Sequence, residues 1–252
     1  MPIINLRKLL MVVMLYFSIC SAYAAHPLVS EDNTTQGSGR NQIELNSDFA
    51  SKSNVDTNTA AFTYTYGISN DVDILFNIPY TWANRSGQST GLNDGSVGLK
   101  WRLFENQGVS FGVKPELIVA SANENKGLGN GQNSYAYTVM LAYDLKPFTF
   151  LANFGKTYNH FSRQIDLDEK RTSITRSSFA ILAQLNEGIT LVADFGIADS
   201  QDRAQLEKPR FAIVGAFFSI SDNFEFDVGY KKGLNSAEID RQIGFGITWR
   251  FE

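Results

Sequence analysis

One cysteine, two histidines and a charged fraction of 19% are little for a chain of 252 residues. A lone cysteine, Cys20, cannot form an internal disulfide, so the fold must be held by packing and hydrogen bonds. His26 and His160 stand far apart and have no other thiol or imidazole near them in sequence, so no metal site and no cofactor is expected. The formal charge of −4 comes without clustered Lys or Arg, which argues against a nucleic-acid partner. Beyond residue 25 no run of 18 apolar residues occurs, which excludes membrane-spanning helices. Gly127-Leu128-Gly129-Asn130-Gly131 follows Lys126 but lacks the Lys-Ser/Thr ending of a phosphate loop, so any transport would run down a gradient. His160 and Ser162 are close only in sequence and sit in a loop segment. No strand carries a histidine, and no enzyme is expected.

Large apolar groups are abundant: 19 Phe, 10 Tyr and 3 Trp, with 20 Gly. The first of them fall in a segment that reads as a secretion signal. Arg7 and Lys8 form a basic start, Leu9 to Cys20 an apolar stretch of about 12 residues, and Ala22-Tyr23-Ala24 a cleavage site. Residues 1–24 are therefore expected to be removed. Ile19 before Cys20 is too bulky for lipoprotein processing. Cleavage takes two positive charges from the formal −4 and leaves −6. Residues 25–40, AHPLVSEDNTTQGSGR, have no periodicity and read as an irregular periplasmic lead-in.

From Asn41 to the C-terminus the pattern is period-two alternation, the signature of half-buried strands. Twelve segments are expected over residues 41–252. Clear examples are Val72, Ile74, Phe76, Ile78 and Tyr80; Tyr135, Tyr137, Val139, Leu141 and Tyr143; and Ile243, Phe245, Ile247, Trp249 and Phe251. One segment, Phe211 to Ile220, is apolar on both faces and leaves its phase open. Tight turns rich in Gly, Pro, Asn and Asp follow the even strands, at 67–71, 105–108, 144–147, 186–188 and 221–223. Longer polar segments follow the odd strands, at 51–56, 82–93, 121–131, 159–171, 199–208 and 231–238. The expectation is an all-β, transmembrane, up-and-down antiparallel barrel of about 12 strands with short periplasmic turns and long extracellular loops.

A soluble barrel hides its apolar face inside, and a membrane barrel turns it to lipid. The residues between the aromatic ones decide for the membrane, because they are polar or very small, as a crowded lumen requires. Lumen-lining candidates are Glu44, Asp48, Asn77, Lys100, Arg102, Lys114, Glu116, Asn153, Gln184, Asp194, Glu225, Asp227 and Arg250. Tyr66, Tyr80, Trp82, Trp101, Tyr135, Tyr143, Tyr158, Tyr230 and Trp249 are candidates for the interfacial aromatic girdles. The lumen charges admit two readings. They could form opposed basic and acidic walls that orient solutes, or a salt-bridge network that stiffens a narrow barrel. Pro79 and Pro115 lack ladder donors and admit two readings, local bends at no functional site or places where the wall is weakened.

The last strand steps along one face through Trp249 and Phe251, as outer-membrane strands recognised by the barrel-assembly machinery do, although Glu252 follows. His26-Pro27-Leu28-Val29-Ser30-Glu31-Asp32-Asn33-Thr34, then Gly37-Ser38-Gly39-Arg40 and Gln42-Ile43-Glu44-Leu45-Asn46, resemble the opening of the bacterial outer-membrane transporter family of the phenol-degradation meta-pathway. The resemblance implies an outer-membrane location and passage of aromatic or other hydrophobic compounds. The expected partners are outer-membrane lipid and a small-molecule substrate. The expected function is passive uptake of such compounds; the alternative is a non-transporting barrel whose extracellular loops bind a surface partner, the reading favoured if the lumen is plugged, as by residues 25–40 folding inward.

Overall fold

A computed structural model describes residues 26–83 and 89–252, so the secretion signal read in residues 1–24 lies outside the described residues. The strands are β1 (Asn41–Lys52), β2 (Val55–Gly67), β3 (Val72–Ala83), β4 (Gly91–Leu92), β5 (Gly95–Asn106), β6 (Val109–Val119), β7 (Ser134–Leu145), β8 (Phe148–Tyr158), β9 (Ser173–Asn186), β10 (Ile189–Ala198), β11 (Arg210–Ser221), β12 (Phe224–Gly233) and β13 (Arg241–Phe251). Twelve are long, and β4 is a two-residue strand that pairs with Tyr80 and Thr81. Each long strand runs antiparallel to its neighbours, and pairing of β1 with both β2 and β13, together with β2 with β3, closes the sheet. A closed sheet has no edge, so its backbone polar groups can be satisfied within a lipid bilayer.

The turns at one end are tight. Gln107 and Gly108 join β5 to β6 with φ of 49° and 80°, the left-handed pair that a two-residue hairpin needs. The opposite end carries loops, with one correction to the expected pattern. Residues 51–56 are no long loop: the ladder runs to Lys52 opposite Val55, and Ser53 and Asn54 turn the chain at φ of 50° and 63°. Asn favours that conformation, because its short polar side chain bonds locally. The other elaborated connections interlock. Asp94 accepts from the backbone N–H of Ser121, Ala122 and Asn130. A six-residue helix, Gln164–Glu169, lies in the next loop, whose Phe161 bridges to Gly131 and whose Lys170 bridges to Asp202.

The two faces differ as alternation requires. Phe49, Phe76, Ile78, Leu141, Phe154, Phe195, Phe245 and Ile247 are all exposed on the outside. Aromatic residues ring both ends of this apolar band: Tyr66, Trp101, Tyr143 and Trp249 towards the short turns, and Tyr80, Trp82, Tyr135, Tyr158 and Tyr230 towards the loops. Tyr135 and Tyr143 lie eight residues apart on β7, about 27 Å along a strand and about 20 Å along the axis of a barrel tilted by about 40°, which spans most of the ~25 Å apolar height of outer-membrane barrels.

The undecided strand is settled by its neighbours. Ile213 lies opposite Asp194 and Phe217 opposite Thr190, both inward, so Phe211, Ile213 and Phe217 face the lumen while Val214 and Phe218 face out. Pro115 leaves a visible mark as well. It sits opposite Tyr137 in an unbroken β6–β7 ladder, but β5 and β6 pair at Gly98↔Glu116 and again at Trp101↔Val113, with a gap at Leu99 and Lys100. A residue without an N–H cannot donate across that seam.

Candidate functional site

The lumen is occupied by the chain's own N-terminal segment. Residues 26–36 run inside the barrel from mid-height to the short-turn end, touching one strand after another. Irregular backbone buried in this way needs partners for its polar groups, and inward side chains supply several of them. His26 Nδ1 lies 2.5 Å from Asp227 Oδ1 on β12, and its Nε2 lies 3.3 Å from Asp48 Oδ1 on β1. The backbone N–H groups of Val29 and Ser30 donate to Asp194 Oδ2 at 2.7 and 2.8 Å, and the Ser30 hydroxyl donates to Asp194 Oδ1 at 2.9 Å. Asn153 on β8 both accepts from Glu31 N–H at 2.5 Å and donates to Glu31 O at 2.9 Å, replacing a missing strand partner.

Further along, Glu31 is paired with Lys114 on β6, which also lies 3.3 Å from Glu116. Asp32 is 3.5 Å from Lys100 on β5, Asn33 accepts from the Ser110 hydroxyl at 2.8 Å, and Gln36 N–H donates to both oxygens of Asp73 at 3.2 and 3.0 Å. The segment then leaves the lumen through Gly39, whose N–H donates to Gly67 O at 2.8 Å. It is therefore no lead-in hanging in the periplasm. Most of the partners of its acidic and amide groups are inward side chains, so the lumen is where their burial costs least.

Small residues on the wall make the room. A Cβ on Gly244 would come within 2.7 Å of the His26 ring, one on Gly215 within 3.0 Å of Pro27 Cγ, one on Gly112 within 3.0 Å of Asn33 Cβ, and one on Gly229 would collide with Pro27. An apolar patch completes the seat. Leu28 packs against Ala142, Leu151, Ala180, Leu182, Val192 and Phe217, on β7 to β11. Phe217 is 1% exposed and Met140 0%, so this part of the lumen is closed to bulk solvent.

Protonation follows from these contacts. Burial disfavours charge on His26, but hydrogen bonds to Asp227 and Asp48 and the charges of both outweigh it and raise its pKa to about 9. Burial likewise disfavours the Glu31 carboxylate, but the charges of Lys114 and Lys100 outweigh it and hold its pKa below the ordinary value. At neutral pH His26 thus meets the wall as a cation and Glu31 as an anion, both paired.

All thirteen lumen candidates lie on the inward phase of their strands, but only some meet at the segment. Asp48, Lys100, Lys114, Glu116, Asn153, Asp194 and Asp227 belong to its seat. Glu44, Glu225 and Arg250 form a second network near the short turns, in which Gln42 donates to Glu44 at 2.7 Å and Arg250 Nε donates to the Gln42 oxygen at 2.9 Å. Asn77 donates to the Thr63 hydroxyl at 2.8 Å. Arg102 turns to the rim, where it pairs with Asp71 at 2.9 Å and Glu105 at 2.8 Å, and Gln184 is exposed at the same end. The charges therefore act less as opposed walls than as a paired network, in which His26, Glu31 and Asp32 of the segment each pair with the wall. Sequence reasoning missed Glu31 and Asp32 as partners, and also Arg176, which the alternation of Phe179 and Ile181 already places on the inner face. Among the described residues no group of three or more His, Cys, Asp or Glu is placed to hold a metal ion.

An apolar, aromatic-belted exterior around a polar and hydrogen-bonded interior is the inverse of a soluble barrel, and it defines a transmembrane β-barrel of the bacterial outer membrane. Residues 26–251 match the family described by the MetA-pathway of phenol degradation, and the chain belongs to that family. In fold it is similar to an outer membrane channel of Pseudomonas putida F1, with a TM-score of 0.70 and 12% identity over 87% of this chain and 98% of that one. The NanC porin is also similar, with a TM-score of 0.62 and 12% identity over 83% and 99% of the two chains. So is the KdgM porin, solved in complex with disordered oligogalacturonate, with a TM-score of 0.57 and 10% identity over 84% and 99%. No curated protein matches the chain by sequence.

Proposed function

We propose that the protein is an outer-membrane channel for passive uptake of small aromatic or hydrophobic compounds, and that its N-terminal segment sets the bore. The observation that carries this reading is how the segment is attached. Residues 26–36 take no strand position and are held by side-chain hydrogen bonds and ion pairs, each worth about 0.5–1.5 kcal/mol, or about 1.5–3 where a charge takes part. Such a seat can be vacated without breaking the barrel ladder. Family membership adds the phenol-degradation context, and the porins of similar fold support a channel role.

A filled lumen also favours the second reading, a barrel whose interlocked outer loops bind a surface partner. The two part on one experiment. Single-channel conductance of the refolded chain lacking residues 1–24 is compared in a planar bilayer with that of a chain lacking residues 1–36. The channel reading expects a small conductance, reduced by small aromatic acids, that grows severalfold on deletion. Inserted barrels that stay silent in both forms would overturn it in favour of loop binding.

A further inference from the structure

The outer face of the barrel is apolar up to the loop-side aromatic belt, and on three adjacent strands cations stand just above it. Lys232 follows Tyr230 by two residues on β12, Arg241 precedes Ile243 by two on β13, and Arg210 pairs with the outward Ile197 at the start of β11. Each keeps the phase of an exposed outward residue, and all three are exposed themselves. Two residues along a strand span about 7 Å, which brings the charges to the depth of the lipid headgroups. At the same ends of β1, β3, β6 and β7 the outward positions are held by Ser51, Trp82, Val119 and Tyr135. On β8 the outward Lys156 lies over the Tyr158 ring, 5.2 Å from its centroid.

The three cations are close together and lack a counter-charge. Lys232 and Arg241 are direct cross-strand partners, so their Cβ atoms stand about 5 Å apart. Arg210 accepts at its carbonyl from Leu234 N–H, which makes it the diagonal neighbour of Lys232 at about 7–8 Å. Like charges directly opposite destabilise a ladder, and an anion between them removes that cost. Among the described residues none supplies it: the side chains of Arg210, Lys232 and Arg241 take part in no ion pair or hydrogen bond. The carboxylates of the neighbouring loops are engaged elsewhere. Glu238 pairs with Lys231 at 3.2 Å and Asp199 with Lys208 at 2.9 Å, while Glu207 accepts from the Ser236 hydroxyl and Asp240 from Ser53 N–H. Lys231 marks the contrast. One residue from Lys232 but on the inward phase, it has both Glu238 and the face of the Phe211 ring.

We propose that β11 to β13 carry, on the outer face of the barrel, a binding site for the phosphorylated glycolipid of the outer leaflet, lipopolysaccharide. One of its phosphates lies between Lys232 and Arg241, with Arg210 as the third cation. Arginine meets a phosphate with two parallel bonds and lysine meets it as a point charge, so the mixed set suits that group. Below the cations Val214, Tyr230 and Ile243 are exposed on the same three strands and offer an apolar bed for the acyl chains. The long loops put this end of the barrel at the cell surface, the leaflet in which that lipid stands. The site depends on the barrel's place in the membrane and is independent of whether the lumen conducts.

The test is lipid binding read by native mass spectrometry, with the protein purified from outer membranes in detergent and stripped of lipid. Lipid A carrying both phosphates is the probe; its phosphate-free form, phosphatidylglycerol and inorganic phosphate are the comparisons. The probe should bind at least tenfold more tightly than the phosphate-free form or phosphatidylglycerol, and millimolar inorganic phosphate should not displace it. The double variant Lys232→Gln, Arg241→Gln should lose at least tenfold in affinity, while Lys156→Gln, which removes an outward charge from β8, should stay within twofold. The comparison of lipids uses the unaltered chain, so it stands even if a variant fails to fold. Equal binding of the phosphate-free form, or a double variant that binds as well, would overturn the proposal. So would an equal loss in Lys156→Gln, which would mean general surface charge, or displacement by inorganic phosphate, which would mean a site for a free anion. Equal binding of phosphatidylglycerol would reduce the patch to a surface for any anionic lipid, and no binding of the probe would leave the three cations to an acidic surface partner; either result rejects the glycolipid site.

Discussion

Two parts of the lumen hold the same segment by opposite means. On β7 to β11 the wall nearest the short turns is apolar, with Leu151, Leu182, Val192 and Phe217 closing over Leu28. On β12, β13, β1, β3, β5 and β6 it is polar, with Asp227, Asp48, Asp73, Lys100 and Lys114 reaching the segment through charge and hydrogen bonds. The apolar part is indifferent to pH and gives the segment its depth. The polar part gives register, because a donor and its acceptor must meet within a few tenths of an ångström.

The largest effect is expected where the apolar part is emptied. Phe217→Ala removes a fully buried ring and should cost about 3–5 kcal/mol of barrel stability, read as a lower urea midpoint of unfolding in detergent. A loss under 1 kcal/mol would show that this patch is loosely packed. Next comes the joint between the two parts. Asp194→Ala leaves the donors of Val29 and Ser30 buried without acceptors, at about 1–3 kcal/mol each, and should free the segment. Limited proteolysis should then cut within residues 26–36 while the barrel stays intact; continued protection would mean that the apolar contacts suffice. Gly229→Ala drives a methyl against Pro27 and should release the same stretch at a cost of about 1–3 kcal/mol without altering any charge.

The pH dependence isolates the polar part. His26 has its pKa raised from 6.5 to about 9, so its hold on Asp227 and Asp48 is full below pH 6.5 and fades as the pH rises through about 9. Glu31 is shifted the other way, so its pairing with Lys114 is present above its ordinary range and lost as the pH falls through its lowered value. Proteolytic protection of the segment should therefore be greatest between about pH 5 and 8. His26→Gln should flatten the alkaline side only; an unchanged alkaline limb would remove His26 from the account. The smallest effect belongs to the wall itself. Pro115→Val restores a ladder donor opposite Leu99 and should stabilise the β5–β6 seam by about 1 kcal/mol or less, seen as slower amide exchange at Leu99 and Lys100.

Much of the barrel was legible because alternation is a local property. Val72 to Tyr80 and Tyr135 to Tyr143 declare their outer faces without any knowledge of their neighbours. The first hairpin was misjudged because Ser53 and Asn54 carry no Gly or Pro, though both sit in the left-handed region. β11 was undecidable because Phe211, Ile213 and Phe217 have to be apolar for the segment, while Val214 and Phe218 have to be apolar for lipid. The polar run from residue 25 to 40 read as a tail because hydrogen-bonding residues look alike whether water or a wall answers them.

The sequence by itself determined the long strands, which face of each but β11 meets lipid, and which end carries the loops, because all three follow from the order of residues within a single strand or turn. Only the tertiary structure decided that the lumen is filled from within and that Glu31 and Asp32 rather than a facing wall neutralise Lys114 and Lys100. The two ion pairs join residues 68 and 83 positions apart along the chain, and closure of the barrel is what brings them together.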